Sequence, residues 1–146
     1  MTRKVYKGLL VLFLVFIWGH SLQSGAASKG ESDYVLDVTL TVLDGVPGIG
    51  WLDFHTIRKL AHLTEFAALG FVLSGLLRPV KQHWIRWAIA YGSLVGAIDE
   101  FLQLFSPGRS SQVSDVLLDT VGVAVGVVVF LIIGVIDVRL QTSDVS

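Results

Sequence analysis

The sequence predicts an all-α integral membrane protein, a bundle of four transmembrane helices with one short amphipathic segment on its outer side. Three observations carry that prediction. Apolar residues make up 53% of the chain and charged residues only 16%, whereas a soluble domain carries about a quarter charged residues. Mean hydropathy is +0.69. The apolar residues are gathered into runs long enough for a helix to cross a hydrocarbon core of about 30 Å. With 146 residues the chain is sized for one domain.

The first run follows a basic start at Arg3, Lys4 and Lys7 and is wholly apolar over 8–18. Two readings fit it. A cleavable signal peptide is one, with small residues at Ser24, Gly25, Ala26 and Ala27 for processing. A retained first span over 5–22 is preferred, because further spans follow for it to pack against. Residues 21–32 are rich in Gly, Ser and Ala without periodicity and predict an exposed linker. In 34–44, Leu36, Leu40 and Leu43 recur at i, i+4, i+7 beside Asp37, Thr41 and Asp44. That spacing favours a surface amphipathic helix, although the Val and Thr content also fits a strand. Gly45 to Gly50, with Pro47, breaks this element, and Trp51 and Phe54 are interface anchors.

The second span is expected over 54–77, with Asp53 as its N-cap and Arg78-Pro79 as its stop. Trp84 and Trp87 mark the next interface. A third span is expected over 84–105, closed by Ser106-Pro107-Gly108, and a fourth over 115–138.

Seven of the 11 cations, Arg3, Lys4, Lys7, Arg78, Lys81, Arg86 and Arg139, then fall on one side. The positive-inside rule makes that side, and both termini, cytoplasmic in a bacterial cell membrane. The net charge of −1 excludes a generally basic nucleic-acid binder. The absence of cysteine excludes disulfides, thiolate metal sites and a cysteine nucleophile.

Ionisable groups inside such runs are costly and mark functional or pairing sites. In the second span Lys59, His62 and Glu65 recur every three residues, fanning over about 120° of one face. In the third, Gln103 stands i+4 from Asp99 and i+3 from Glu100. Asp115, Asp119, Gly122 and Gly126 form one stripe on the fourth, its glycines allowing close helix approach. All these groups lie in the outer half of their spans or in the outer loop with Arg109. Residues 66–77, 87–98 and 120–136 contain no Asp, Glu, Lys, Arg or His. A conduction path needs polar groups through the whole thickness, so a pocket open to the outer face is favoured over a channel.

The run Arg58-Lys59-Leu60-Ala61-His62-Leu63-Thr64-Glu65-Phe66, followed by Asp99-Glu100-Phe101-Leu102-Gln103, Pro107-Gly108-Arg109 and the 115–126 stripe, resembles the VanZ-like family of bacterial membrane proteins. Ser21-Leu22-Gln23-Ser24-Gly25 is similar to that family's first loop. The resemblance covers nearly the whole chain. It implies a cell-envelope membrane protein, the founding member being associated with resistance to the glycopeptide antibiotic teicoplanin, and it supplies no reaction. Carried over by position, the family's polar residues are Lys59, His62, Glu65, Asp99, Glu100, Gln103, Arg109, Asp115 and Asp119. The chain departs from the family at Phe66, where tyrosine is common, and at Leu102, where histidine is frequent. The second departure weakens schemes that need two histidines.

Four uses of this cluster are open from the residues. It can be an ion-pair network joining helix ends, yet Arg58, Lys59 and Arg109 are outnumbered by Glu65, Asp99, Glu100, Asp115 and Asp119. The excess negative charge calls for a proton or a bound cation. It can hold a metal, with His62, Glu65, Asp99, Glu100 and Asp119 as candidate ligands for Mg, Mn or Zn. It can run acid–base chemistry on lipid head groups, as a hydrolase or transferase, with His62 as base and Arg109 and Lys59 holding phosphate. Ser106, Ser110, Ser111 and Ser114 form no nucleophile elbow. Finally, it can bind an amphiphile at the outer leaflet, a lipid-linked wall precursor or a lipophilic glycopeptide, with Arg109 as the anion contact.

Overall fold

A computed structural model describes residues 2–42, 52–109 and 111–143, with side chains through residue 136. Leu43, Asp44, the Gly45 to Gly50 break, Trp51, Ser110 and the Arg139 side chain lie outside it. The described residues form five helices: α1 (Arg3–Ser21), α2 (Gly25–Val42), α3 (Phe54–Leu77), α4 (Trp84–Gln103) and α5 (Val113–Ser143). No strand occurs among them.

The helix ends follow local chemistry. Asp53 caps α3 by accepting the Thr56 N–H at 2.8 Å, which satisfies one of the donors left free in a first turn. Pro107 and Gly108 close the turn after α4, with Gly108 at φ +78°, a conformation for which glycine carries no steric penalty. α5 starts at Val113, and Asp115 in its first turn sets a carboxylate near the positive end of the helix dipole.

The expected linker at 21–32 is instead largely helix, because α2 begins at Gly25. Ser24 Oγ accepts the Ala27 N–H at 3.3 Å in the N-cap manner. Gly25 N donates to Pro107 O at 2.8 Å, and a Cβ at Gly25 would collide with the Gly108 carbonyl. Tertiary contact, not periodicity, fixes this helix. None of its residues is buried.

The core is built by α1, α3, α4 and α5 around Ile17, Phe66, Leu69, Ala88 and Val123, each at most 1% exposed. In lipid, helices gain little from burying apolar surface against one another, and close van der Waals packing takes over. α3 and α5 make the largest interface, and glycine permits it. A Cβ on Gly70 would strike the Val123 carbonyl, and one on Gly126 the Ala67 carbonyl.

Three helices are long and apolar enough to cross a membrane: α1, α3 and Val113–Ile136 of α5. α4 has the length, with 20 residues, but Arg86, Asp99 and Glu100 keep it from the expected count of four on composition. Its two carboxylates are only 0% and 3% exposed, so they face the interior of the bundle.

Candidate functional site

The alternating helix directions bring the C-terminal ends of α1 and α4 beside the N-terminal halves of α3 and α5. Nearly every polar group inside the bundle is at this one end. In the other half the polar contacts are between hydroxyls and uncharged groups: Ser74 Oγ donates to its own helix at Gly70 O, 2.7 Å away, and Ser93 of α4 meets Thr120 of α5 at 2.9 Å.

Asp99 is the centre of the first group of contacts. It is fully buried and accepts from the Ser21 hydroxyl of α1 and from Gln103 Nε2 at 3.1 Å. The same Nε2 donates to Glu100 Oε1 at 3.0 Å, and Gln103 Oε1 accepts from Arg58 Nη2 at 2.9 Å. Glu100 Oε2 accepts the Gln112 N–H at 2.9 Å, anchoring the chain just before α5. Ser106 Oγ donates to Ser21 O at 2.7 Å. One amide thus couples two carboxylates and a guanidinium across α3 and α4.

The second group joins α3 to α5. His62 Nδ1 is 3.5 Å from Asp119 Oδ1, longer than the usual N–H···O range of about 2.7–3.2 Å. Asp119 is 0% exposed, and neither of its oxygens has a hydrogen-bond partner. His62, Asp99 and Asp119 each offer one ligand atom within 4.8 Å of the others. Glu65 and Glu100 stand apart from that trio. Glu65 faces His20 at 3.6 Å, and Glu100 is engaged by Gln103 and Gln112.

The third group lines a cleft of about 480 Å³ between α1, α2 and α3. Its apolar wall includes Phe16, Ile17, Val35, Ile57, Leu60 and Ala61, and its polar wall includes His20, Glu31, Arg58, His62, Glu65 and Arg109. His20 Nε2 meets Glu31 at 2.8 Å, and Gln23 Nε2 donates to the same carboxylate at 3.2 Å. Arg109 Nε is buried without a hydrogen-bond partner. Burial, and then the neighbouring Arg58, lower the Arg109 guanidinium from its ordinary value, with Asp99, Glu100 and Glu31 opposing. An arginine so shifted remains cationic at neutral pH.

The chain matches the VanZ/LLP1 family model over residues 6–134. It belongs to that family. No curated protein and no solved structure matches it. Among the positions carried over from the VanZ-like pattern, His62, Glu65, Asp99, Glu100, Gln103, Arg109 and Asp119 meet at one end of the bundle. Asp115 is partly buried at the start of α5, within reach of the Ser114 hydroxyl at 3.3 Å. Lys59 is exposed and turned away from the cleft. Positions 58, 62 and 65 span about 60° of a helix, whereas 59, 62 and 65 drift over about 120°. The cation on the site's face is therefore Arg58.

The ion-pair network proposed from the sequence takes a different form. Among the described residues no lysine or arginine pairs with a carboxylate, and all three ion pairs use histidine. His20 and Glu31 were missed by the sequence reading, and Ser21 entered it only within the first-loop resemblance. For His20 and Ser21 the signal was an imidazole and a hydroxyl ending an otherwise apolar run. His20 also restores a second imidazole to a VanZ-like site that has Leu102 where histidine is frequent.

Proposed function

We propose that this VanZ-like protein binds an anionic amphiphile in the cleft between α1, α2 and α3, at the outer face of a bacterial cell membrane. One observation carries the reading. Two guanidinium groups, Arg58 and Arg109, share a cleft with an apolar wall, and among the described residues neither has a carboxylate at ion-pair distance. Guanidinium groups select carboxylates and phosphates through planar paired donors. The apolar wall suits a lipid tail or the acyl chain of a lipophilic glycopeptide. A lipid-linked cell-wall precursor and teicoplanin both have this chemistry, and binding either one supports a role in glycopeptide resistance.

In this reading α4 is a fourth span, because its acidic residues are hidden from lipid. Both termini are cytoplasmic, in keeping with the seven cations on the opposite end. α2 lies on the outer surface as the roof of the cleft.

A second reading, a membrane hydrolase or transferase acting on lipid head groups, draws on the His62 and Asp119 contact. A carboxylate beside imidazole Nδ1 orients the ring for general-base work. Susceptibility to teicoplanin, measured in a sensitive host expressing each variant at equal membrane level, separates the two. A binding site loses protection in graded steps, with Arg109→Ala and Arg58→Ala prominent. An enzyme loses it wholly with His62→Ala alone. Wild-type protection in both arginine variants would overturn the binding reading.

A further inference from the structure

Behind the cleft, the Asp119 carboxylate is fully buried with two oxygens that nothing in the described chain satisfies. A buried carboxylate without a hydrogen bond is among the least favourable groups a fold can carry. The neighbours deepen the problem. Asp99 is buried as well, His62 Nδ1 is buried without a hydrogen bond, and no lysine or arginine pairs with either aspartate. Two carboxylates and one imidazole therefore converge from α3, α4 and α5.

We infer that His62, Asp99 and Asp119 form a binding site for one divalent first-row cation, Zn²⁺ or Mn²⁺. The spacing fits. Donors bound to one tetrahedral ion at about 2.1 Å stand about 3.4 Å apart, and His62 Nδ1 and Asp119 Oδ1 are 3.5 Å apart. That separation is long for a hydrogen bond and ordinary for two ligands on one ion. The ligand types are those of zinc and manganese: one imidazole and two carboxylates are too few oxygens for calcium and lack the thiolates that favour softer ions.

Asp99 is held as a ligand should be, since hydroxyl and amide donors orient a ligating carboxylate, here Ser21 and Gln103. Gly96 leaves the room Asp119 needs, because a Cβ there would sit 3.0 Å from Asp119 Oδ2. A divalent charge balances the two aspartates. It also accounts for the absence of any lysine or arginine paired with them among the described residues.

The site does not depend on what fills the cleft, and metal analysis of ligand-free protein tests it alone. Full-length protein in detergent, stripped with chelator and titrated with Zn²⁺ or Mn²⁺, is expected to take up about one ion per chain. Its melting midpoint should rise by about 5 °C or more. His62→Ala and Asp119→Asn should both abolish uptake and the shift, while Glu31→Gln, on the cleft wall, keeps them. In metal-free protein Asp119→Asn should melt at or above the wild type, since it relieves repulsion between two buried carboxylates. Wild-type protein that binds neither ion, or Asp119→Asn protein that binds with unchanged stoichiometry, overturns the proposal. The second outcome is readable even if His62→Ala does not fold.

Discussion

At the residue scale, the side chain that occupies a helix face decides what the cleft can hold. Lys59, His62 and Glu65 look like a series in the sequence, but three-residue steps fall behind the helical period by about 60° each. Arg58 keeps to the face and reaches Gln103 at 2.9 Å. Arg58→Ala should therefore weaken anionic-ligand binding about tenfold or more, and Lys59→Ala should leave it unchanged, in parallel titrations of the two purified variants. Asp53 makes a separate prediction in pH. The Thr56 side chain and then its backbone N–H lower the Asp53 carboxyl from the usual aspartate value. A lowered folded-state value means the cap is fully formed above the ordinary carboxylate range and is lost as pH falls through the lowered one. The carbon-13 titration of that carboxyl should show a depressed midpoint, and Thr56→Pro, which removes both donors, should move it back up.

At the element scale, Ser21 ties α1 to the buried carboxylate of α4, beside the His20 contact with Glu65. Ser21 is 2% exposed, donates to Asp99 and accepts from Ser106 through its carbonyl. Ser21→Ala removes the donor to a buried carboxylate and should lower stability by about 1–3 kcal/mol, measured by denaturant unfolding in detergent. The α3 and α5 interface gives a sharper contrast. Gly126→Leu drives a side chain into the Ala67 carbonyl and should prevent the two helices from packing. Val125→Leu, at a position 43% exposed, should be within about 0.5 kcal/mol of wild type. Thermal melts of both variants check this. Three of the four expected spans, the Asp53 cap and the glycine stripe were legible because each rests on local pattern: apolar length, capping chemistry, small residues at four-residue spacing. α2 was not legible over 25–33. Its start is set by Gly25 against the Pro107 and Gly108 turn, a contact between positions more than eighty residues apart in sequence.

At the scale of the whole molecule, antiparallel helices carry the buried carboxylates Asp99, Glu100 and Asp119 to one end. Reporter fusions after Leu77 and after Gln103 should report cytoplasmic and external locations respectively, as alternate crossings by α3, α4 and α5 require. The same end for both would remove α4 as a span. The gathering of His62, Glu65, Asp99, Gln103 and Asp119 was readable from depth along the spans. The partition of that cluster was not, since a separation between helices has no trace in sequence spacing. Asp99 and Asp119 end behind the cleft, while His62, Arg58 and Arg109 line it. His20 and Glu31 enter only because α1 and α2 fold over α3.

The central claim is that the two arginines make this cleft selective for an anionic amphiphile. Binding of a fluorescent polyprenyl diphosphate and of the neutral polyprenol to the purified protein tests it most directly. The wild type should prefer the diphosphate, and Arg58→Ala and Arg109→Ala should each weaken diphosphate binding about tenfold or more without changing the alcohol. Equal affinity of the wild type for the two lipids, or diphosphate binding untouched by either substitution, would contradict it.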